Sequence, residues 1–168
     1  GEKIKNDRSI CLRRILACLS VLLTIAGQPV HADEFGLIAG EKSGYQRLAL
    51  NYQTDPKWRG VLGGRPLDAS LEYSLGMVRA DSGNSDRELL QAGITLFARW
   101  WFAPDTGIEL GSGANVFSGT HLGDKDISTA FHFGSSIGLF HRLQGTPWQL
   151  GLRLTHYSNA GIKDPNPG

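Results

Sequence analysis

The chain has 168 residues, room for one domain around one core. It carries 22 glycines, and helix-forming runs are scarce beyond the N-terminus, which argues for a barrel over a helical bundle. A formal net charge of +1 with no basic patch excludes nucleic acid as a partner.

Residues 1–32 read as a secretory signal peptide. Lys3, Lys5, Arg8, Arg13 and Arg14 form a basic start, and residues 15–26 form an apolar run too short for a helical span. Val30, His31 and Ala32 fit a cleavage site before Asp33. Removing this leader changes 17 basic and 16 acidic residues to 12 and 14, a mature balance of −2. Both cysteines, Cys11 and Cys18, leave with it, so the mature chain forms no internal disulfide and no Cys metal site. Residues 33–168 then read as one domain.

That domain is a series of alternating segments. Strands are expected at 35–39, 45–53, 68–78, 88–102, 108–117 and 128–143, followed by a seventh from Trp148 to Ser158. Residues 54–66, 81–86 and 118–126 read as loops. Asp124 and Asp126 read as loop solvation rather than as a cation site, and no zinc spacing, phosphate loop or cofactor motif appears. His132 is expected inside, and His121 and His141 in loop and interface positions.

The two faces differ in kind. Leu71, Leu75, Leu96, Leu152 and Leu154 lie on apolar faces. Arg47, Glu72, Arg99, Glu109 and Arg153 recur on the opposite ones. A soluble β-sandwich buries the first set; a small membrane barrel buries the second and lets the charges pair. Apolar faces of about 9–11 residues suit a tilted membrane strand. Trp100, Trp101, Phe102 and Trp148, near short turns, suit an interfacial aromatic belt. An all-β, antiparallel membrane barrel is therefore expected, with Glu72 and Glu109 inside and paired to Arg47, Arg99 or Arg153.

The last strand carries the chemistry. His156 and Ser158 share a face with Leu150, Leu152 and Leu154, so a base and a nucleophile stand on the wall that faces lipid. The expected orientation puts them near the outer leaflet, with the turns at Pro104 and Pro147 on the other side.

The run from His156 through Ser158, Asn159 and Gly161 to Pro165, Asn166 and Gly168 has the form H-x-S-N followed by P-N-x-G. It resembles the signature of the lipid A 3-O-deacylases, a family of outer-membrane enzymes. The resemblance implies an eight-stranded antiparallel barrel in the bacterial outer membrane. It implies hydrolysis of the 3-O-linked acyl ester of lipid A in lipopolysaccharide, releasing a 3-hydroxy fatty acid, with no metal and no cofactor. Membrane lipids are the surroundings, and a homodimer stays open. Residue by residue, His156 is the general base, Ser158 the nucleophile and Asn159 an oxyanion-hole donor, with the Gly161 backbone as a second donor. The acid of the family's triad is a Glu expected beyond Gly168, as is the eighth strand; Asp164 reads as a solvated loop residue. The alternatives are a non-catalytic barrel that binds partners through its loops and the soluble sandwich.

Overall fold

A computed structural model of the chain describes residues 18–26 by their backbone path and residues 33–83 and 86–166 in full. It contains β1 (Cys18–Ala26), β2 (Glu34–Lys42), β3 (Tyr45–Gln53), β4 (Trp58–Leu62), β5 (Arg65–Ala80) and β6 (Glu88–Ala103). These are followed by β7 (Thr106–Phe117), β8 (His121–Leu122), β9 (Lys125–Asp126), β10 (Phe131–Arg142) and β11 (Trp148–Ser158). No helix occurs among the described residues.

Eight of these strands hydrogen-bond in a closed antiparallel ring, in the order β1, β2, β3, β5, β6, β7, β10, β11 and back to β1. Closure removes the free edges that lipid cannot hydrate. Seven members match the expected strands. The eighth place, between β11 and β2, is held by Cys18–Ala26, from the stretch read as the leader. The rest of that stretch, 1–17 and 27–32, lies outside the described residues, as do Pro167 and Gly168.

One end of the barrel carries the turn at Ser43 and Gly44, residues 81–83 and 86–87 between β5 and β6, and the loops 118–130 and 159–166. The other carries the turns at 104–105 and 143–147. Two loops hold more order than alternation indicated. Within 54–66, β4 pairs with the start of β5 in a hairpin whose turn residues, Gly63 and Gly64, have φ of +60° and +73°. Such angles favour glycine and match the strand twist. Pro and Gly at this density read as loop in sequence, although strands continue on both sides of them. Within 118–126, β8 and β9 form a second small hairpin. The strand expected from 128 starts at Phe131 instead, because Ser128 takes a φ of +66°, which no strand accommodates.

The wall is inverted relative to a soluble protein. Leu48, Leu50, Leu75, Leu96, Leu139, Leu150, Leu152 and Leu154 are on the outer surface, whereas Arg47, Asn51, Glu72, Gln91, Arg99, Glu109, Asn115, Gln149 and Arg153 are buried. On β11 the contrast falls between neighbours: Leu152 is 47 % exposed and Arg153 is 3 % exposed. This excludes the sandwich, and the apolar wall is the surface hydrocarbon requires.

A chain of charges fills the interior along its length. Arg142 and Arg99 both reach Glu34, at 3.1 and 3.2 Å. Arg99 and Arg153 both reach Glu109, at 3.4 and 2.7 Å, and Arg153 continues to Glu72 at 2.9 Å. Asn51 donates to Glu72 at 3.0 Å, and Arg47 donates to Gln91 at 2.9 Å. The expected pairing of both glutamates thus involves Arg99 and Arg153, while Arg47 takes an amide partner. Charges taken out of water need such partners on every side. Two aromatic rings pack against these arginines. Phe97 lies 4.2 Å under the Arg153 guanidinium and Phe140 5.0 Å under that of Arg99. Gly138 leaves the gap that Glu109 occupies: a Cβ there would lie 2.8 Å from its Oε1.

Trp101 does not belong to the outer belt. It points inward, donates from Nε1 to Asp68 at 2.7 Å and lies 4.4 Å under Arg142. Strict alternation puts Trp100 and Trp101 on opposite faces, so only one can meet the interface. Trp100, Phe102 and Trp148 do face outward at the turn end.

At the loop end the interior closes with an apolar plug. Ala80, Leu89 and Phe117 from the wall pack with Leu122 from β8 and with Tyr45, Val78, Ile127 and Tyr157. Lys125 on β9 lies 5.8 Å over the Tyr45 ring. Burial holds its ammonium below the usual lysine range, and Lys42 adds to the effect.

Candidate active site on the outer wall

Alternation and one internal anchor place the site. Tyr157 points inward between His156 and Ser158, edge-on to Phe117 at 5.5 Å and under Arg47 at 5.8 Å. Fixing Tyr157 inside turns its two neighbours outward. His156 is exposed and Ser158 half-buried, at the loop end of the wall. Ser158 pairs across the ladder with Phe133, and His156 with Ser135. The strand therefore places the two residues expected to react on one face, two positions apart.

The loop that follows turns back over Ser158. Ala160 and Gly161 have φ of +54° and +75°, and Ile162 N–H closes the turn onto the Asn159 carbonyl at 3.0 Å. Gly161 suits this conformation; Ala160 bears strain in it. Asn159 is fully buried and spans the loop, with Nδ2 donating to the Lys163 carbonyl at 2.6 Å and Oδ1 accepting the Gly161 N–H at 2.9 Å. The two donors expected for an oxyanion thus hold the loop together in this state.

Two other donors converge on the serine. Ala160 N–H points at Ser158 Oγ at 3.0 Å, and Asn166 Nδ2 lies 3.1 Å from the same oxygen. Asn166 Oδ1 accepts the Asn159 N–H, also at 3.1 Å. In the sequence Asn166 belongs to P-N-x-G and has no assigned role. Its signal was the fixed spacing from Ser158, which only a folded loop converts into contact. Ser128 was missed as well: its hydroxyl donates to the Pro165 carbonyl and ties this loop to 118–130.

Among the described residues, the other histidines form other contacts. His132 is buried and bonds the Thr129 carbonyl through Nε2 at 2.8 Å, edge-on to Phe117. His141 bonds Thr106 at the turn end, and His121 lies 3.8 Å from Asp126 on the β8–β9 hairpin. Among the described residues no cluster of His, Cys, Asp and Glu is arranged to hold a metal ion. Asp164 is exposed.

Comparison with known proteins agrees with this geometry. The family model described as lipid A 3-O-deacylase (PagL) matches residues 44–168. The lipid A deacylase PagL of Bordetella bronchiseptica is 44% identical over 126 residues, covering 74% of this chain and 70% of that protein. The lipid A deacylase PagL of Pseudomonas aeruginosa is 31% identical over 160 residues, covering 92% and 88%. In fold, the crystal structure of the outer membrane enzyme PagL superposes with a TM-score of 0.62 at 23% identity, covering 90% of this chain and 92% of that one. With Ser158 and His156 outward on an inverted barrel wall, and a family match spanning most of its length, this chain belongs to the lipid A 3-O-deacylase (PagL) family.

Proposed function

We propose that the chain is an outer-membrane esterase that hydrolyses the 3-O-linked acyl chain of lipid A, with Ser158 as nucleophile and His156 as general base. The observation that carries this reading is the outward direction of both side chains on a wall whose neighbouring residues are apolar. A lipid ester approaching sideways in the outer leaflet meets them without leaving the membrane.

In this mechanism the imidazole takes the Ser158 proton as Oγ attacks the ester carbonyl, then returns it to the departing sugar oxygen. Water hydrolyses the resulting acyl-enzyme by the same route reversed. Charge gathers on the former carbonyl oxygen beside Ser158. Asn159 and Gly161 supply donors to it once the Gly161 N–H leaves Asn159 Oδ1 and Asn159 Nδ2 turns from the Lys163 carbonyl. Catalytic hydrogen bonds commonly tighten only with substrate present. The orienting carboxylate in this reading is the Glu that the family pattern puts beyond Gly168.

Processing belongs to the same reading. Residues 1–32 direct export and are cut after Ala32, leaving a mature chain from Asp33. The outer-membrane lipids then surround the apolar wall, with the loop end facing outward.

A serine-directed fluorophosphonate tests the central assignment. Peptide mapping of the labelled, folded protein is expected to find the adduct on Ser158, and to find none in Ser158→Ala. Labelling of another serine, with Ser158 untouched, contradicts the assignment.

A further inference from the structure

Asn166 meets Ser158, and Asn166 is itself held from a second loop. Ser128 Oγ donates to the carbonyl of Pro165, the residue before Asn166. That carbonyl belongs to the planar peptide leading into Asn166, and the proline ring locks φ on its other side. Holding this one oxygen therefore fixes where the Asn166 backbone starts.

Ser128 is built to stay in place. It is 6 % exposed, takes a φ of +66° and donates its N–H to Asp126 Oδ1 at 2.7 Å. Its neighbours are tied as well. Thr129 N–H reaches the Ile127 carbonyl at 2.7 Å, Ile127 N–H reaches the Thr120 carbonyl at 2.8 Å, and His132 Nε2 bonds the Thr129 carbonyl at 2.8 Å. Ile127 packs on the apolar plug with Leu122, and the Gly123 N–H joins the plug to the Asp86 carbonyl at 2.8 Å. Glycine is the ordinary residue at a positive φ. A buried serine there, with its hydroxyl crossing to another loop, indicates that the position needs the hydroxyl.

The loop that Ser128 holds has two parts. In one, Asn166 meets the Ser158 hydroxyl and the Asn159 N–H. In the other, the Asn159 side chain is taken up by the Lys163 carbonyl and the Gly161 N–H. Oxyanion binding breaks the second set of bonds and needs the first set kept. We infer that Ser128 is a positioning residue for the hydrolysis: it anchors Pro165 and Asn166, so that residues 160–163 rearrange around a nucleophile that stays clamped. The inference rests on Ser158 as nucleophile with Asn159 and Gly161 as oxyanion donors. Ser128 acts through Asn166 rather than on the ester.

The test uses the full-length protein folded in lipid, with lipid A as substrate, and measures kcat, KM and the rate at which a fluorophosphonate labels Ser158. Ser128→Gly removes the hydroxyl and suits the positive φ; Ser128→Ala removes it and keeps the strain. Both variants are expected to keep the heat-modifiable barrel and the wild-type KM. Both are expected to lose kcat and labelling rate about tenfold, since a misplaced reacting group costs rate rather than binding. Adding Ser128→Gly to Asn166→Ala is expected to cost little beyond Asn166→Ala alone, because both act on one contact. Wild-type kcat in Ser128→Gly, a rise in KM alone, or loss of the folded barrel in both variants overturns the inference and leaves Ser158 in place. So does a raised kcat, the mark of a latch that holds the loop shut. A folded wild type that gives no Ser158 adduct, or cleaves no lipid A, overturns the reading of Ser158 and this inference with it.

Discussion

The Ser158 hydroxyl lies 3.1 Å from Nδ2 of Asn166, while Oδ1 of the same amide accepts the backbone N–H of Asn159 at 3.1 Å. One side chain thus fixes both the nucleophile and the residue after it. Asn166→Ala removes both bonds and frees the loop that folds over the serine. Activity is expected to fall on the order of 10–100-fold, because sub-ångström placement of reacting groups is lost. The barrel is expected to keep its heat-modifiable mobility on gels, since Asn166 takes no part in the backbone ladder of the wall. Full activity in Asn166→Ala would show that the loop needs no such clamp.

The interior makes a separate prediction. Arg153 sits between Glu72 and Glu109, and both carboxylates are buried. Arg153→Met fills similar volume but leaves Glu72 without its cation and Glu109 with Arg99 alone. The expected cost is about 3–5 kcal/mol in urea unfolding from lipid vesicles. Arg153→Met combined with Glu72→Gln should cost less than the sum of the two, because they share one network. A loss below about 1 kcal/mol in Arg153→Met would contradict the pairing.

Orientation of the wall is tested at a neighbouring residue. Leu152 is outward and Arg153 inward. If Leu152 lies near mid-bilayer, Leu152→Arg is expected to cost roughly 2–4 kcal/mol in lipid. A cost near zero would place Leu152 in water or headgroups.

The alternation of β2, β3, β5, β6, β7, β10 and β11 was legible in sequence because each strand presents Leu or Ile on one face and Arg, Glu, Asn or Gln on the other. Parity alone turned His156 and Ser158 outward. The inward turn of Trp101 is hidden by its aromatic neighbours, because a cluster of rings in sequence does not show the face each one occupies. The β4 hairpin was hidden by Pro56, Gly60, Gly63, Gly64 and Pro66, which mark turns without showing how strands continue around them. The contacts of Asn166, Asn159 and Ser128 were not legible. They depend on the path of an irregular loop, and no periodicity encodes that path.

The N-terminal segment has two readings with different chemistry. Cys18–Ala26 pairs with β2 and β11 in the ring, and it is also the apolar run of the expected leader. Both cysteines of the chain lie in residues 1–32. Protein isolated from outer membranes is expected to begin at Asp33 and to give no gel shift with a thiol-reactive polyethylene glycol. A shift, with an N-terminus before Cys18, would make β1 a permanent strand.

The most direct test of the central claim is mass spectrometry of lipid A from cells making the full-length protein or its Ser158→Ala, His156→Ala and double variants, each confirmed as folded. The account predicts 3-O-deacylated lipid A with wild type and nearly none with either single variant. It also predicts little further loss in the double variant, because the two residues act as a unit. Deacylated lipid A at wild-type levels from Ser158→Ala would contradict it.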